Sequence, residues 1–224
     1  MSRAVLHAIL GGLLDLLAPR SCPGCDLALD PGEVGFCGGC APLLERLDPR
    51  AAGGAAYLFG GPLADAIRRL KYRGRTDHAG ALGRLLADAC APLAGRVDVV
   101  VPIPLHPRRL RERGFNQASV LGAFVAERLG VPLDASGLQR LRDTPAQAGL
   151  DAIRRVDNVR GCFAGRVRLE RTRVLVLDDV RTTGATFADA ARALSDAGAT
   201  EVCVRALAGA EDRDQDEPAT SRRR

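Results

Sequence analysis

The chain has 224 residues, enough for one good core and a small appendage. Hydrophobic residues make up 46% of it, which excludes an intrinsically disordered chain. The net charge is +5, and of 32 cationic side chains only Lys71 is a lysine, so that residue stands out against an arginine bias.

Ala4 to Ala18 is apolar, broken by His7, Gly11, Gly12 and Asp15. No small-residue cleavage pattern follows, and the stretch is too short to span a bilayer. It reads as an amphipathic helix packing on the core or on the next module, with His7 on its surface. Cys22-Pro-Gly-Cys25 and Cys37-Gly-Gly-Cys40 come next, two C-x2-C pairs separated by eleven residues. That spacing closes four thiolates on one tetrahedral metal. Zn2+ is the best candidate for four soft ligands, with an iron centre the lesser alternative. Cys90, Cys162 and Cys203 sit singly and read as core residues.

Asp48 to Ala55 is a loop rich in Ala and Gly, suited to a hinge. Ala55 to Phe59 reads as a strand, and Pro62 suits the first turn of a helix. That helix has an apolar face of Leu63, Ala66, Ile67 and Leu70 and ends in Lys71-Tyr72-Arg73-Gly74-Arg75. A second helix covers roughly 79–91. Val97 to Ile103 is a buried strand, followed by a basic loop over 104–117 that carries Arg108, Arg109, Arg111 and Arg113 against Glu112. Asn116 is placed to cap the next helix and Gly130 to end it. Basic runs at 67–75 and 108–113 point to a polyphosphate or nucleic-acid partner, the alternative being a solvated arginine-rich surface. Residues 139–161 have weak periodicity and read as a mobile lid or binding loop. Phe163 to Leu169 is a short alternating strand.

Val174 to Leu177 is an unbroken apolar run, as in a strand buried on both faces of a parallel sheet. Asp178 and Asp179 follow at once, then the loop Arg181-Thr182-Thr183-Gly184-Ala185-Thr186. A helix begins after it, with Phe187, Ala190, Ala191 and Leu194 on one face and Gly198 at its end. Ligands of open α/β sheets bind outside the carboxyl ends of the strands. There the loop offers N–H groups at a helix N-terminus, Gly184 permits close approach, and Thr182, Thr183 and Thr186 add hydroxyls. Two adjacent carboxylates accept from neighbouring hydroxyls. A phosphate at one end and a diol at the other suggest a ribose 5-phosphate. A basic loop of the neighbouring strand, with Arg108 and Arg109, would face a pyrophosphate there. Lys71 is expected to contact the same phosphates or an adjacent loop. Thr200 to Leu207 is the last strand, and the charged residues from Glu211 read as a disordered tail.

The stretch VLVLDDVRTTGAT resembles the phosphoribosyl-diphosphate (PRPP) motif of type I phosphoribosyltransferases. By that resemblance Asp178 and Asp179 hold the ribose 2′- and 3′-hydroxyls as the catalytic pair. Thr182, Thr183, Gly184, Ala185 and Thr186 cradle the 5′-phosphate. Purine-salvage members often carry an Asp where this chain has Thr182, so 6-oxopurine salvage is not expected. The order of blocks, four cysteines, LKYRGR, VPIPLHPRRLRERGFNQA, RLRDTPAQAGLDAIRRVDNVRG and VLVLDDVRTTGAT, resembles the ComF family over roughly residues 10–208. Arg181 stands where the family often has Tyr. The resemblance implies a type I phosphoribosyltransferase fold, mostly parallel sheet with flanking helices, after a small zinc module. The expected division is 1–50 for the N-terminal helix and zinc module, 51–208 for the transferase-like domain and 209–224 for the tail. The resemblance also implies a cytoplasmic protein that binds PRPP with Mg2+, holds structural Zn2+ and acts in competence on an unknown acceptor. The alternative is a non-catalytic adaptor that binds single-stranded DNA and docks a competence helicase.

Overall fold

The computed structural model describes residues 20–142, 161–166 and 172–210. The expected N-terminal helix, most of the 139–161 segment, the last residues of the 163–169 strand and the tail from 211 lie outside the described residues.

Four parallel strands form the main sheet in the order β1-β6-β5-β2: β1 Ala55–Leu58, β2 Val99–Pro102, β5 Arg173–Arg181 and β6 Glu201–Gly209. Parallel neighbours need crossover connections, and helices supply them. α1 (Gly61–Tyr72) and α2 (Ala79–Cys90) carry the chain from β1 at one edge to β2 at the other. α5 (Ala185–Asp196) joins β5 to β6. On one face, Leu63, Ile67 and Leu70 of α1, Leu82 and Leu86 of α2 and Leu121 of α4 (Gln117–Leu129) pack on Leu175, Leu177 and Leu207. On the other, Phe187, Ala190 and Leu194 of α5 pack on Val99, Val101, Val174 and Val176. Both faces of the central strands are thereby covered, which is why β5 reads as a continuous apolar run.

The capping expectations hold. Asn116 accepts a hydrogen bond from the Ala118 N–H at 3.1 Å, and Gly130 ends α4 in the left-handed region at φ 68°. Three expectations need correction. The strand expected to stop at Leu177 runs on to Arg181, because β6 continues beside it and pairs Asp178 with Ala206 and Val180 with Ala208. The basic loop contains a short helix, α3 (Pro107–Arg113). Pro107 opens it, His106 caps it by accepting from the Arg108 N–H at 3.3 Å, and Gly114 closes it in the left-handed region. Finally, Leu138–Arg140, at the start of the segment read as mobile, is a strand, β3. It pairs antiparallel with β4 (Phe163–Gly165) as a two-stranded sheet beside α5.

The return of the chain at residue 161 is fixed by one carboxylate. Asp189 of α5, 6% exposed, accepts from the N–H groups of Gly161 and Cys162 at 2.8 Å each and Phe163 at 3.1 Å. Arg192 lies 2.9 Å from it. Burial raises its pKa, but those N–H groups and the guanidinium outweigh burial and hold it below the usual carboxylate value. A lowered carboxylate pKa contributes stability above the unfolded value and loses it as pH falls through the folded one. Asp189→Ala is expected to cost about 2–3 kcal/mol at neutral pH by stranding buried N–H groups. The difference from wild type should narrow below roughly pH 4, the unfolded carboxylate value. Denaturant titrations of both proteins across pH check this. A difference that widens on acidification would contradict it.

Candidate functional site

The two cysteine pairs meet. The Sγ atoms of Cys22, Cys25, Cys37 and Cys40 all lie within 4.8 Å of one another, and those of Cys25 and Cys37 are 3.8 Å apart. A tetrahedral Zn2+ with Zn–S bonds of about 2.3 Å needs sulfur–sulfur edges of about 3.8 Å, so the donor set fits that ion. Backbone donors favour thiolate: burial raises the Cys22 pKa, but N–H groups of Cys37, Cys25 and Gly24 bring it down to about 7. The Cys37 N–H reaches Cys22 Sγ at 3.3 Å. Cys40 moves the other way, pushed up by burial and by the neighbouring thiols. Four sulfurs this close ionise together only if a cation shares their charge.

This module is built into the main core. Cys22, Phe36 and Cys40 are buried in the same apolar cluster as Tyr57, Leu63 and Leu70. Arg46 pairs antiparallel with Tyr57, and the Leu47 N–H donates to the Ala56 carbonyl at 2.9 Å, extending the β1 edge.

The second site lies where β5 passes its apolar run. Asp179 is 2% exposed, and Lys71 Nζ at the end of α1 lies 2.6 Å from its Oδ2. No other described donor reaches that oxygen. Burial raises the Asp179 pKa, but the Lys71 charge and hydrogen bonding, with help from Asp178 and Gln117, hold it below the ordinary value. Burial likewise opposes the Lys71 charge, and Asp179 and Asp178 more than restore it. Asp178 accepts the Asp179 N–H at 2.8 Å. Burial and the Asp179 charge push the Asp178 carboxyl well up, against the pull of Lys71. One cation thus serves two carboxylates, whose pKa values are pushed apart, Asp178 upward and Asp179 downward.

Lys71 also lines a cavity of about 300 Å³ whose wall includes Tyr72, Arg109, Glu112 and Arg113. Three cations converge on that space against one carboxylate. Arg108 is not part of this wall; its Nε lies 3.0 Å from Glu112 on the exposed side of α3. Below the strand end, Thr182 and Thr183 lead into Gly184, which caps α5 at φ 79°. Gly184 has no side-chain acceptor, so the first N–H groups of α5 depend on other partners, and an anion suits them. The Ala185 N–H makes a long contact, 3.5 Å, to Thr183 Oγ1. Thr186 stands in that first turn. The Arg181 guanidinium lies against both Gly184 and Gly53, where any Cβ would meet it at 3.2 and 2.6 Å.

Tyr72, Glu112, Arg113 and Gln117 were not singled out as site residues. Gln117 is 4% exposed and its Oε1 accepts from Arg113 Nη1 at 2.6 Å, which ties the cavity wall to the neighbourhood of Asp179. Nothing local in the sequence marks it. Arg113 and Glu112 belong to the basic run already noted.

No family model matches the chain. Among curated proteins it is similar to DNA utilization protein YhgH of Salmonella typhi, 32% identical over 189 residues covering 82% of this chain and 81% of that protein. It is also similar to competence protein F of Haemophilus influenzae, 32% identical over 66% of this chain and 69% of that protein. Among solved structures it is similar to glutamine PRPP amidotransferase from B. subtilis, 28% identical with a TM-score of 0.37; the match takes in 55% of this chain and 24% of that one. Among the described residues, no helix is long and apolar enough to cross a membrane.

The four-cysteine geometry leads to a direct expectation. Protein purified under reducing conditions should carry one zinc per chain by elemental analysis, and Cys37→Ser should lose it. Structural zinc in small modules is worth on the order of 10–16 kcal/mol at neutral pH. Because Cys22 and Cys40 share the core of α1, hydrogen exchange in the variant should rise in 61–72 as well as in 20–47. A fully reduced protein with no tightly bound metal would contradict this.

Proposed function

Because the chain belongs to the ComF family, with DNA utilization protein YhgH and competence protein F, we propose that it is a phosphoribosyltransferase-like protein of DNA uptake that binds PRPP at the carboxyl edge of its sheet. The observation that carries this reading is the buried Lys71–Asp179 pair. It sits at the strand end, directly before a Thr/Gly loop, and its cation also lines a cationic cavity. A buried carboxylate oxygen that, among the described residues, meets only the Lys71 ammonium has capacity left to accept a ligand hydroxyl. On this reading Asp178 and Asp179 take the ribose diol. The loop Thr182-Thr183-Gly184-Ala185-Thr186 and the first turn of α5 take the 5′-phosphate. Lys71, Arg109 and Arg113 face the pyrophosphate, with Arg108 behind them on α3.

In the transfer, the acceptor attacks C1 of the ribose while the bond from C1 to the pyrophosphate oxygen breaks. Pyrophosphate leaves with that electron pair, and the acceptor's proton goes to solvent or to the leaving group. Cations held in a low-dielectric wall favour that departure, since the charge they meet grows as the bond breaks. Mg2+, bound with PRPP, would add positive charge on the leaving group. Zn2+ at the cysteines is structural and lies outside this chemistry. The protein is placed in the cytoplasm by this reading.

A second reading is favoured by a separate observation. The Tyr72 ring is 74% exposed, with the Arg113 guanidinium 5.3 Å from its centroid, and Arg68 lies 5.6 Å from the ring of Phe59 at the other end of α1. Such pairs offer nucleobase stacking platforms beside cations. On this reading the protein binds single-stranded DNA and passes it to a competence helicase. The two readings are compatible.

Asp179→Asn tests the first. It keeps the size and removes the charge, and a charge-assisted hydrogen bond is worth roughly 1.5–3 kcal/mol, so PRPP affinity should fall about ten- to a hundredfold by calorimetry. Unchanged PRPP affinity would remove the diol assignment. Asp178 adds a pH signature. Burial and the Asp179 charge push its carboxyl up, so binding that uses the carboxylate form should strengthen as pH rises through its pKa, with proton release. Titrations in buffers of different ionisation enthalpy measure that release; uptake of protons would contradict it. For single-stranded DNA, the affinity should fall with salt at a log–log slope of about −0.7 per phosphate contacted. Arg108→Ala with Arg109→Ala should flatten that slope, whereas Tyr72→Ala should weaken binding and leave it unchanged. Salt-independent binding would argue against this surface.

A further inference from the structure

Arg69 and Lys71 stand two residues apart on the last turns of α1. At 100° per residue that places them on nearly opposite sides of the helix. Lys71 faces Asp179. Arg69 faces the cysteine module: its Nη1 donates to the carbonyls of Pro23 at 2.7 Å and Gly24 at 2.5 Å, the two residues between Cys22 and Cys25. The same turn abuts the start of α1. A Cβ on Gly24 would lie 2.6 Å from Pro62 Cβ and 3.0 Å from Cys40 Sγ, so glycine alone permits the approach. Beyond the end of α1, Arg75 bonds Asp26 and donates to Ser21 Oγ at 2.5 Å. The first cysteine turn therefore holds α1 at its first turn, at its last and past its end. Neither Arg69 nor the Pro23-Gly24 turn touches the Asp pair or lines the cationic cavity.

We propose that Arg69 is a positioning residue for the PRPP site: it fixes α1 against the Cys22–Cys25 turn and so sets where Lys71 meets Asp179 and the cationic cavity. This rests on the PRPP reading above. A lysine side chain is long and flexible, and its charge contributes at short range in a low-dielectric setting only when its backbone origin is fixed. The metal-ordered turn provides that origin. The cysteine module then acts on ligand affinity through the chain's own helix, without contacting the ligand. Arg69 is suited to the task because one terminal nitrogen, Nη1, lies within reach of both carbonyls.

The test uses the full chain with its zinc and reads the dissociation constant for PRPP with Mg2+ by calorimetry, together with zinc content. Arg69→Met keeps the length of the side chain and removes its donors. It should retain one zinc per chain and weaken PRPP about tenfold. Arg69→Lys, which still reaches one carbonyl, should recover most of that loss. Lys71→Met should weaken PRPP binding by itself, and adding Arg69→Met to it should change little more, because Arg69 acts through Lys71. Gly24→Ala, which pushes on Pro62 and also on Cys40 Sγ, should weaken PRPP in the same manner with zinc still bound, and covers the case in which Arg69→Met does not fold. Wild-type affinity in Arg69→Met and in Gly24→Ala, or a loss that adds in full to that of Lys71→Met, overturns the positioning role alone. A wild-type protein that does not bind PRPP overturns the functional reading, and the positioning role with it.

Discussion

One enclosed carboxylate and the partly buried ammonium that meets it organise this protein. Asp179 is almost wholly enclosed, and Lys71 is its single described ionic partner at 2.6 Å. Burying two charges costs several kcal/mol per ion before their attraction is counted, and an apolar pair of similar volume often does as well or better. Stability is therefore a weak reason for the pair to exist. Its position gives a better one. It sits where a parallel strand leaves its apolar run and where the next loop is built of Thr and Gly. A cationic cavity opens on the far side of the same lysine. Burial and the Asp179 charge push the adjacent Asp178 carboxyl above its ordinary value.

The rest of the chain can be understood as a frame for that pair. β5 is locked between β2 and β6, which fixes the carboxylate. The lysine comes from α1, whose apolar side is fastened to the sheet by Leu63, Ile67 and Leu70. Its polar side is fastened to the cysteine module by Arg69. The module extends the β1 edge and shares the core. On the positioning proposal, the cysteine module stiffens one wall of the proposed ligand site.

Much of this was legible in the sequence because the signals were local. C-x2-C spacing, Asn116 before a helix, Gly130 after it, and an apolar run ending in two Asp each carry their meaning within a few residues. The short helix Pro107–Arg113 had local signals too: a proline start, Arg108 four residues before Glu112, and Gly114 at the end. They were outweighed by the density of charge in that loop. The extension of β5 past Leu177 had no local sign, since it depends on Ala206 and Ala208 of a strand that comes later. Lys71 stood out by composition, but its partner lies 108 positions away, and no periodicity links such residues. Gln117 was invisible for the same reason: its use comes from what packs around the first turn of α4.

The central claim is that the enclosed pair and its cavity make a PRPP site. Calorimetric titration of the intact zinc-loaded protein with PRPP, with and without Mg2+, tests it most directly. The account predicts one saturable site per chain, tighter with Mg2+ than without, and competed by pyrophosphate together with ribose 5-phosphate. No heat of binding under either condition, with the same protein still folded and holding its zinc, would contradict it.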